Sequence, residues 1–311
     1  MGASSLSSRA IIGEFYNQLE QNIGMTWIPG VSNYFKSNQE SESYAWLGMA
    51  PAMREWVGGR HAKGLRENGI TIENKTYEST MEVLVDEIRR DKTGQILVRV
   101  AEQAQRANAH WAKLLSGLIV GGESSVCYDG QFFFDTDHGE GDSGTQSNDI
   151  TSAAASPTAP TAGEAEKAVL KAVETILGFK DDQGEPMNEE AAQFMVMVPV
   201  SLMSPFAAAL KNPVILDGGT SRTNTIVNVG GFGFELVVNP RLSSWTSKFA
   251  VFRTDGQTKP FIRQEEEEIT IAAVAEGSEL EFNENLHRYG IKAIRNAGYG
   301  YWQHATLVTL T

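Results

Sequence analysis

Two carboxylates and an imidazole fall within four residues in Asp135-Thr136-Asp137-His138, with Asp129 just upstream. Hard carboxylate oxygens suit magnesium or calcium and an imidazole suits zinc, so Asp135, Asp137 and His138 are candidate ligands of a metal-dependent hydrolase. The competing reading is that these groups hydrogen-bond the backbone of a turn after an aromatic strand. Nothing elsewhere obviously completes a metal shell, because His61, His110, His287 and His304 are scattered without ligand spacing. Cys127 has no His or Asn at catalytic spacing and reads as a small buried hydrophobe between Val126 and Tyr128. It is also the only cysteine, which excludes an intrachain disulfide framework and any multi-cysteine zinc or iron–sulfur centre. No Gly-x-Gly-x-x-Gly follows a strand, and neither a Gly-x-x-x-x-Gly-Lys loop nor a Gly-x-Ser-x-Gly elbow is present. Gly230-Gly231-Phe232-Gly233 lies between strand-like runs and reads as a turn. The expectation is therefore no catalytic residue, no cofactor and no resident metal.

Charge points to a different kind of surface. The 311 residues carry 26 Lys+Arg against 39 Asp+Glu, a net charge of −13. A general nucleic-acid binder needs clustered cations, so that class is disfavoured, and identical copies should repel one another at low salt. The segment from Arg54 to Lys75 runs the other way, with five basic residues to three acidic ones. Its Arg60, Lys63 and Arg66 belong either to a plain surface hairpin or to an arm that reaches an acidic partner. The run Glu265-Glu266-Glu267-Glu268 is a solvated edge, the counterpart of such an arm, or a cation site between subunits. Upstream, Trp27, Tyr34, Phe35, Tyr44 and Trp46 must hide their rings against their own chain or a neighbour.

The elements that position these residues follow from periodicity. Ser5 to Gln21 reads as an amphipathic helix with Ile11, Ile12, Phe15, Tyr16 and Leu19 on one face. Thr93 to Val120 carries Leu97, Ala104, Trp111 and Leu118 at spacing seven, with Val100, Ala107 and Leu114 on the same stripe. That predicts a spine helix of roughly 42 Å, capped by Thr93 and ended by Gly121-Gly122. Residues 135–160 read as a loop or boundary. A capping box at Thr161-Ala162-Gly163-Glu164 opens a helix that Gly178 stops. A strand over Phe194–Val198 and a helix over Leu202–Leu210 come next. Strands are then expected at Thr225–Val229, Phe232–Val238, Phe249–Arg253, Ile269–Ala275 and Glu281–Ala297. The class is α+β without βαβ alternation. No apolar stretch approaches the roughly 20 residues that cross a bilayer, and Met1–Leu6 fits neither a signal peptide nor a myristoylation site. The default compartment is the cytoplasm, with no membrane partner.

Several segments together resemble one family. Tyr128-Asp129-Gly130-Gln131-Phe132-Phe133-Phe134-Asp135-Thr136-Asp137-His138 is similar to the aromatic strand and turn of the major head subunit of Mu-like tailed phages and prophages. Trp56 to Asp91, Met195-Val196-Met197-Val198-Pro199, Tyr289-Gly290 and Arg295 to Ala305 resemble further segments of that family in the same order. Gly139 departs from it, since the family more often has Pro there. The resemblance implies a Hong Kong 97-like capsid fold. In that frame 1–53 is an N-terminal arm and 54–80 an extended loop. Residues 81–154 and 251–311 form a peripheral domain with spine helix 93–120, and 155–250 forms an axial domain.

The function so implied is structural: hexamers and pentamers of one chain assemble into an icosahedral head around double-stranded DNA. Implied partners are other copies, a scaffolding protein, a maturation protease, a portal protein and a possible decoration protein. The scaffold is expected as a separate chain, since no long charged helical prefix precedes residue 50. The expected location is the virion, with assembly in the host cytoplasm. Inter-subunit contact candidates are Arg60, Lys63, Arg66, Trp27, Tyr34, Phe35 and Glu265 to Glu268. Two rivals are an encapsulin-like nanocompartment shell and the hydrolase based on Asp135, Asp137 and His138.

Overall fold

The computed structural model describes residues 7–21, 24–44, 69–91, 94–217, 219–228 and 230–311. Helix α1 (Ser8–Gln21) starts after Ser7, whose hydroxyl accepts from the Ala10 amide, and buries Ile11 and Phe15 as its period requires. A single turn, α2 (Ile28–Val31), leads into β1 (Ser32–Lys36). Strands β2 (Ser41–Tyr44) and β3 (Ile70–Glu73) pair antiparallel, with β4 (Lys75–Leu84) and α3 (Val85–Arg90) following.

The expected spine helix is present but divided into α4 (Gln95–Asn108) and α5 (His110–Gly121). Ala109 between them has ψ of −2° instead of a helical value, and the Asn108 side chain donates to the Leu19 carbonyl at the end of α1. The break changes which face is inside. Val100, Ala104 and Ala107 are buried as the spacing predicts, whereas beyond Ala109 the buried set is Ala112, Leu115, Ser116 and Ile119. That is one residue, or about 100° of rotation, away from the expected Trp111, Leu114 and Leu118. Thr93 lies outside the described residues; the Asp91 carboxylate takes the free amides of Gln95 and Ile96 at the helix start. Gly121 ends the helix as expected.

Strand β5 (Asp149–Ser152) precedes α6 (Ala162–Gly178), whose capping box is formed by Thr161 and Glu164 in both directions. Next come β6 (Gln193–Val198) and α7 (Met203–Lys211), with Pro205 tolerated in the first turn. The hairpin β7 (Val214–Asp217) and β8 (Thr220–Thr223) leads to α8 (Thr225–Asn228) and β9 (Gly233–Val238). The strand expected over Thr225–Val229 is therefore a helical turn. Buried Asn224 accepts from the Ile226 amide and so caps it. Gly231, at φ +91°, makes the turn before β9.

The chain closes with β10 (Lys248–Arg253), β11 (Phe261–Val274), α9 (Glu279–Glu284), β12 (Leu286–Tyr299) and β13 (Ala305–Leu310). Residues Glu281 to Glu284 thus belong to a helix and not to the expected strand. Ser278 accepts from the Glu281 amide at one end, and Asn285 at φ 55° stops the turn at the other.

Two sheets organise the fold. One has strand order β5-β13-β10-β6-β9 and the other β1-β11-β12-β4. In the first, β6 and β9 are parallel neighbours joined through α7, a local βαβ crossover that corrects the expectation of none. β5 and β13 also belong to this sheet, so divisions at 154/155 and 250/251 cut through one hydrogen-bonded layer. The larger core lies around it, with Phe194, Phe249, Phe252, Phe133 and Trp302 all essentially inaccessible. A smaller core forms where α1 and α4 cover one face of the second sheet, through Ile11, Phe15, Val100, Ala104, Tyr289 and Ile291.

Candidate functional site

The segment after α5 folds into a tight knot instead of a strand. Cys127 and Gln131 are joined by a backbone hydrogen bond, and Val126 bridges Phe132. This turns Asp129 inward. Its carboxylate lies 2.7 Å from His138 Nδ1 and accepts from Cys127 Sγ at 2.9 Å. His138 Nε2 is 3.2 Å from Asn148 Oδ1, and its ring stacks on the Trp302 indole at 3.9 Å and 9°. Asn148 in turn donates to the Phe133 carbonyl at 2.8 Å. Burial alone would raise the Asp129 carboxyl, but hydrogen bonds from His138 and Cys127 outweigh it and hold it below the ordinary carboxylate range. Burial and the adjacent Asp129 push the Cys127 thiol up, which keeps it protonated and unreactive.

Of the three sequence-predicted ligands, Asp135 and Asp137 meet each other through their carboxyl groups, but neither joins His138 in one cluster. His138 faces Asp129 and is fully buried, while Asp135 accepts from the Phe132 and Thr136 amides and Asp137 is exposed. The group that does converge, Cys127, Asp129 and His138, has its donor atoms within 4.8 Å of one another. Its hydrogen bonds join the knot to itself, and the stacked Trp302 fastens it to the first sheet. This arrangement fits the turn-stabilising alternative, with each polar group bonded inside the knot. Asp129 is the member that the Asp/His spacing underrated; its signal was Asp two residues after Cys127 and one before Gly130, an inward-turning Asx pattern.

The surface candidates divide in a similar way. Arg60, Lys63 and Arg66, with Trp46, lie outside the described residues. Trp27 is buried in its own chain's larger core. Phe35 is half-buried against Tyr44, with ring centroids 5.5 Å apart. Tyr34 is partly exposed and donates to Glu265 at 2.5 Å, and Arg263 sits 5.3 Å over its ring. Burial and the Glu265 bond push the Tyr34 hydroxyl up.

The four glutamates are not one acidic edge. Glu265 is buried between Tyr34 and Arg295, whose guanidinium is 3.4 Å away. Glu267 pairs with Lys292 at 2.8 Å, and the hydrogen bond from Lys292 holds its carboxyl low. Glu268 pairs with Lys36 at 2.6 Å, with the same effect. Only Glu266 is exposed without an ion pair among the described residues. The register explains this division. β1 runs parallel to β11 only from Phe261 to Glu265, and a bulge then separates Glu265 from Glu267 and turns neighbouring side chains apart.

Two large sheets, a broken helical spine and a buried polar knot make up an α+β fold of the Hong Kong 97-like capsid type. The procapsid subunit of bacteriophage JBD30 superposes with a TM-score of 0.56 at 22% identity, over 99% of this chain and 77% of that one. The family model for the Mu-like prophage major head subunit gpT matches residues 9–161 and 236–310, and the chain belongs to that family. The Mu-like prophage FluMu major head subunit of Haemophilus influenzae is 34% identical over 108 residues, 35% of each chain. The major capsid protein of Escherichia phage Mu is 35% identical over 102 residues, 33% of each. The chain thus aligns with about a third of the length of these two curated relatives.

Proposed function

We propose that this chain is a major capsid protein whose copies assemble as hexamers and pentamers into an icosahedral phage head enclosing double-stranded DNA. The observation that carries this reading is the family match on both sides of the 162–235 insert, joined to a fold likeness covering nearly the whole chain. Its work is self-association and not catalysis, in keeping with the closed, internally bonded Asp129–His138 knot. The family favours a phage head over a nanocompartment shell.

In this assignment 1–53 is the arm, 54–80 the extended loop, 81–154 and 251–311 the peripheral domain and 155–250 the axial domain. The shared five-stranded sheet argues for treating the last boundary as a crossing and not a break. Arg60, Lys63 and Arg66 of the loop reach acidic groups of a neighbour, with Glu266 the member of the 265–268 run left available. Exposed pairs contribute about 0–1 kcal/mol each, so they set register while apolar contacts supply most of the affinity. A scaffolding protein, a maturation protease and a portal act during assembly in the host cytoplasm, and a decoration protein completes the partner set. The final location is the virion.

Purified protein examined by analytical ultracentrifugation across a salt series tests the reading. Large uniform species that form as salt rises support it, because screening relieves repulsion among subunits of net charge −13. A monomer at every salt concentration contradicts it.

A further inference from the structure

The β11–β12 hairpin ends in a side chain that folding leaves unused. Phe282, on α9, is 90% exposed. The turn holding it is well made, with Ser278 capping its start and Asn285 closing its end. Four carboxylates surround it, Glu276, Glu279, Glu281 and Glu284, with no basic residue between Ala275 and Asn285. Glu276 accepts from Ser8 and Glu281 from the Gly277 amide, whereas Glu279 and Glu284 have no partner among the described residues. An ordered turn thus presents an aromatic ring to water within a negative rim.

A groove of about 350 Å³ lies on the same sheet, between α4 and the strands β4 and β12. Tyr77, Met81 and Ile291 give it apolar walls. Arg99, Arg106 and Arg295 line it; Arg99 pairs with Glu102 and Arg295 with Glu265, whereas Arg106 has no acidic partner among the described residues. Gln103 and Arg295, 9% and 4% exposed, also line it, and Gln103 Oε1 and Arg295 Nε are without hydrogen-bond partners. The groove lies roughly 10–30 Å down the strands from the hairpin end. The exposure of Phe282 shows that it does not fill the groove of its own chain.

We infer that Phe282, flanked by Glu279 and Glu284, seats in this groove of a second copy of the chain. The inference rests on the assembly reading and deepens it by naming a contact. Knob and groove occupy different places on one subunit, so each copy uses both and the contact is heterologous, the kind that closes rings or extends a shell. Charge complementarity orients the tip toward Arg106, and a desolvated aromatic anchor is the type of residue that dominates interface energy.

The test uses purified full-length chain under conditions where the unaltered protein forms shells, scored by negative-stain imaging and light scattering. Phe282→Asp is expected to stay folded, because its site is exposed, and to need at least about tenfold more protein to form shells. Glu279→Arg with Glu284→Arg should block shells, and adding Arg106→Glu should restore them. Phe282→Cys with Ser79→Cys, whose side chain shares the face of Ile291, should give disulfide-linked multimers in shells, since the native Cys127 is buried. Normal shells from Phe282→Asp, or shells without the cross-link, overturn the contact and leave the assembly reading intact. Normal shells whose tip becomes protected only on adding a different protein assign the tip to that partner and also overturn it. Failure of the unaltered chain to assemble at all overturns the assembly reading, and the contact falls with it.

Discussion

The two large sheets treat their surfaces differently. Strands β6, β10 and β13 of the five-stranded sheet are buried almost throughout, because they lie within the larger core that also holds α6, α7, Phe133 and Trp302. In the four-stranded sheet, α1 and α4 cover one face only, and the distal half of β11 alternates between half-buried and exposed positions up to an open aromatic tip. The outer face carries ion pairs such as Arg288–Glu82 and Lys292–Glu267. A chain that only had to fold would have little use for a second sheet of 14-residue strands, about 46 Å long, with one bare face. One sheet lies inside the larger core, and the other keeps the outer face of its distal half open.

That contrast fixes where substitutions should act. Phe252→Ala, in the middle of the buried sheet, should destabilise the subunit by about 3–5 kcal/mol in urea unfolding; a loss below about 1 kcal/mol would show that this sheet is not the structural centre. His138→Ala should cost about 3 kcal/mol, because it strands the buried Asp129 carboxylate and removes the Trp302 stack. If it instead leaves the unfolding midpoint unchanged, the knot is not structural.

Acid should act on the same side. Burial and the nearby Arg253 hold the His304 imidazole down at about 3, so it stays neutral between Asn188 and Thr258. An unfolded His takes up a proton below about pH 6.5, so the stabilisation is complete above that pH and is lost toward pH 3, at about 1.4 kcal/mol per pH unit at most. His304→Gln should flatten that slope, and an unchanged slope would assign it to other groups. The smallest effect belongs to the exposed sheet: Lys36→Ala, which removes the pair with Glu268, should leave the thermal midpoint where it was.

Local signals were legible where one element carried its own instructions. The Thr161–Glu164 capping box, the apolar run of β6 and the stripe on α1 are each readable from adjacent residues, and each is present. The failures are of two physical kinds. Some concern competing local chemistry: Asn224 caps a turn just before the run Thr225–Val229 that reads as a strand, and Ser278 caps a helix that takes up the start of the tract read as a strand from Glu281. Others concern partners far apart in sequence. Tyr34 meets Glu265 and Asp129's knot meets Trp302 only after the whole chain has folded, so neither the division of the glutamate run nor the inward turn of His138 could be read from spacing. The broken spine belongs to this second kind, because α1 ties its Leu19 carbonyl to Asn108 beside the break.

The central claim is that the exposed sheet exists for contact between copies. Negative-stain images of the purified chain, brought to moderate salt at rising concentration, address it most directly. The account predicts closed, uniform shells built from rings of five and six subunits. A field of separate subunits at every concentration and salt would contradict it.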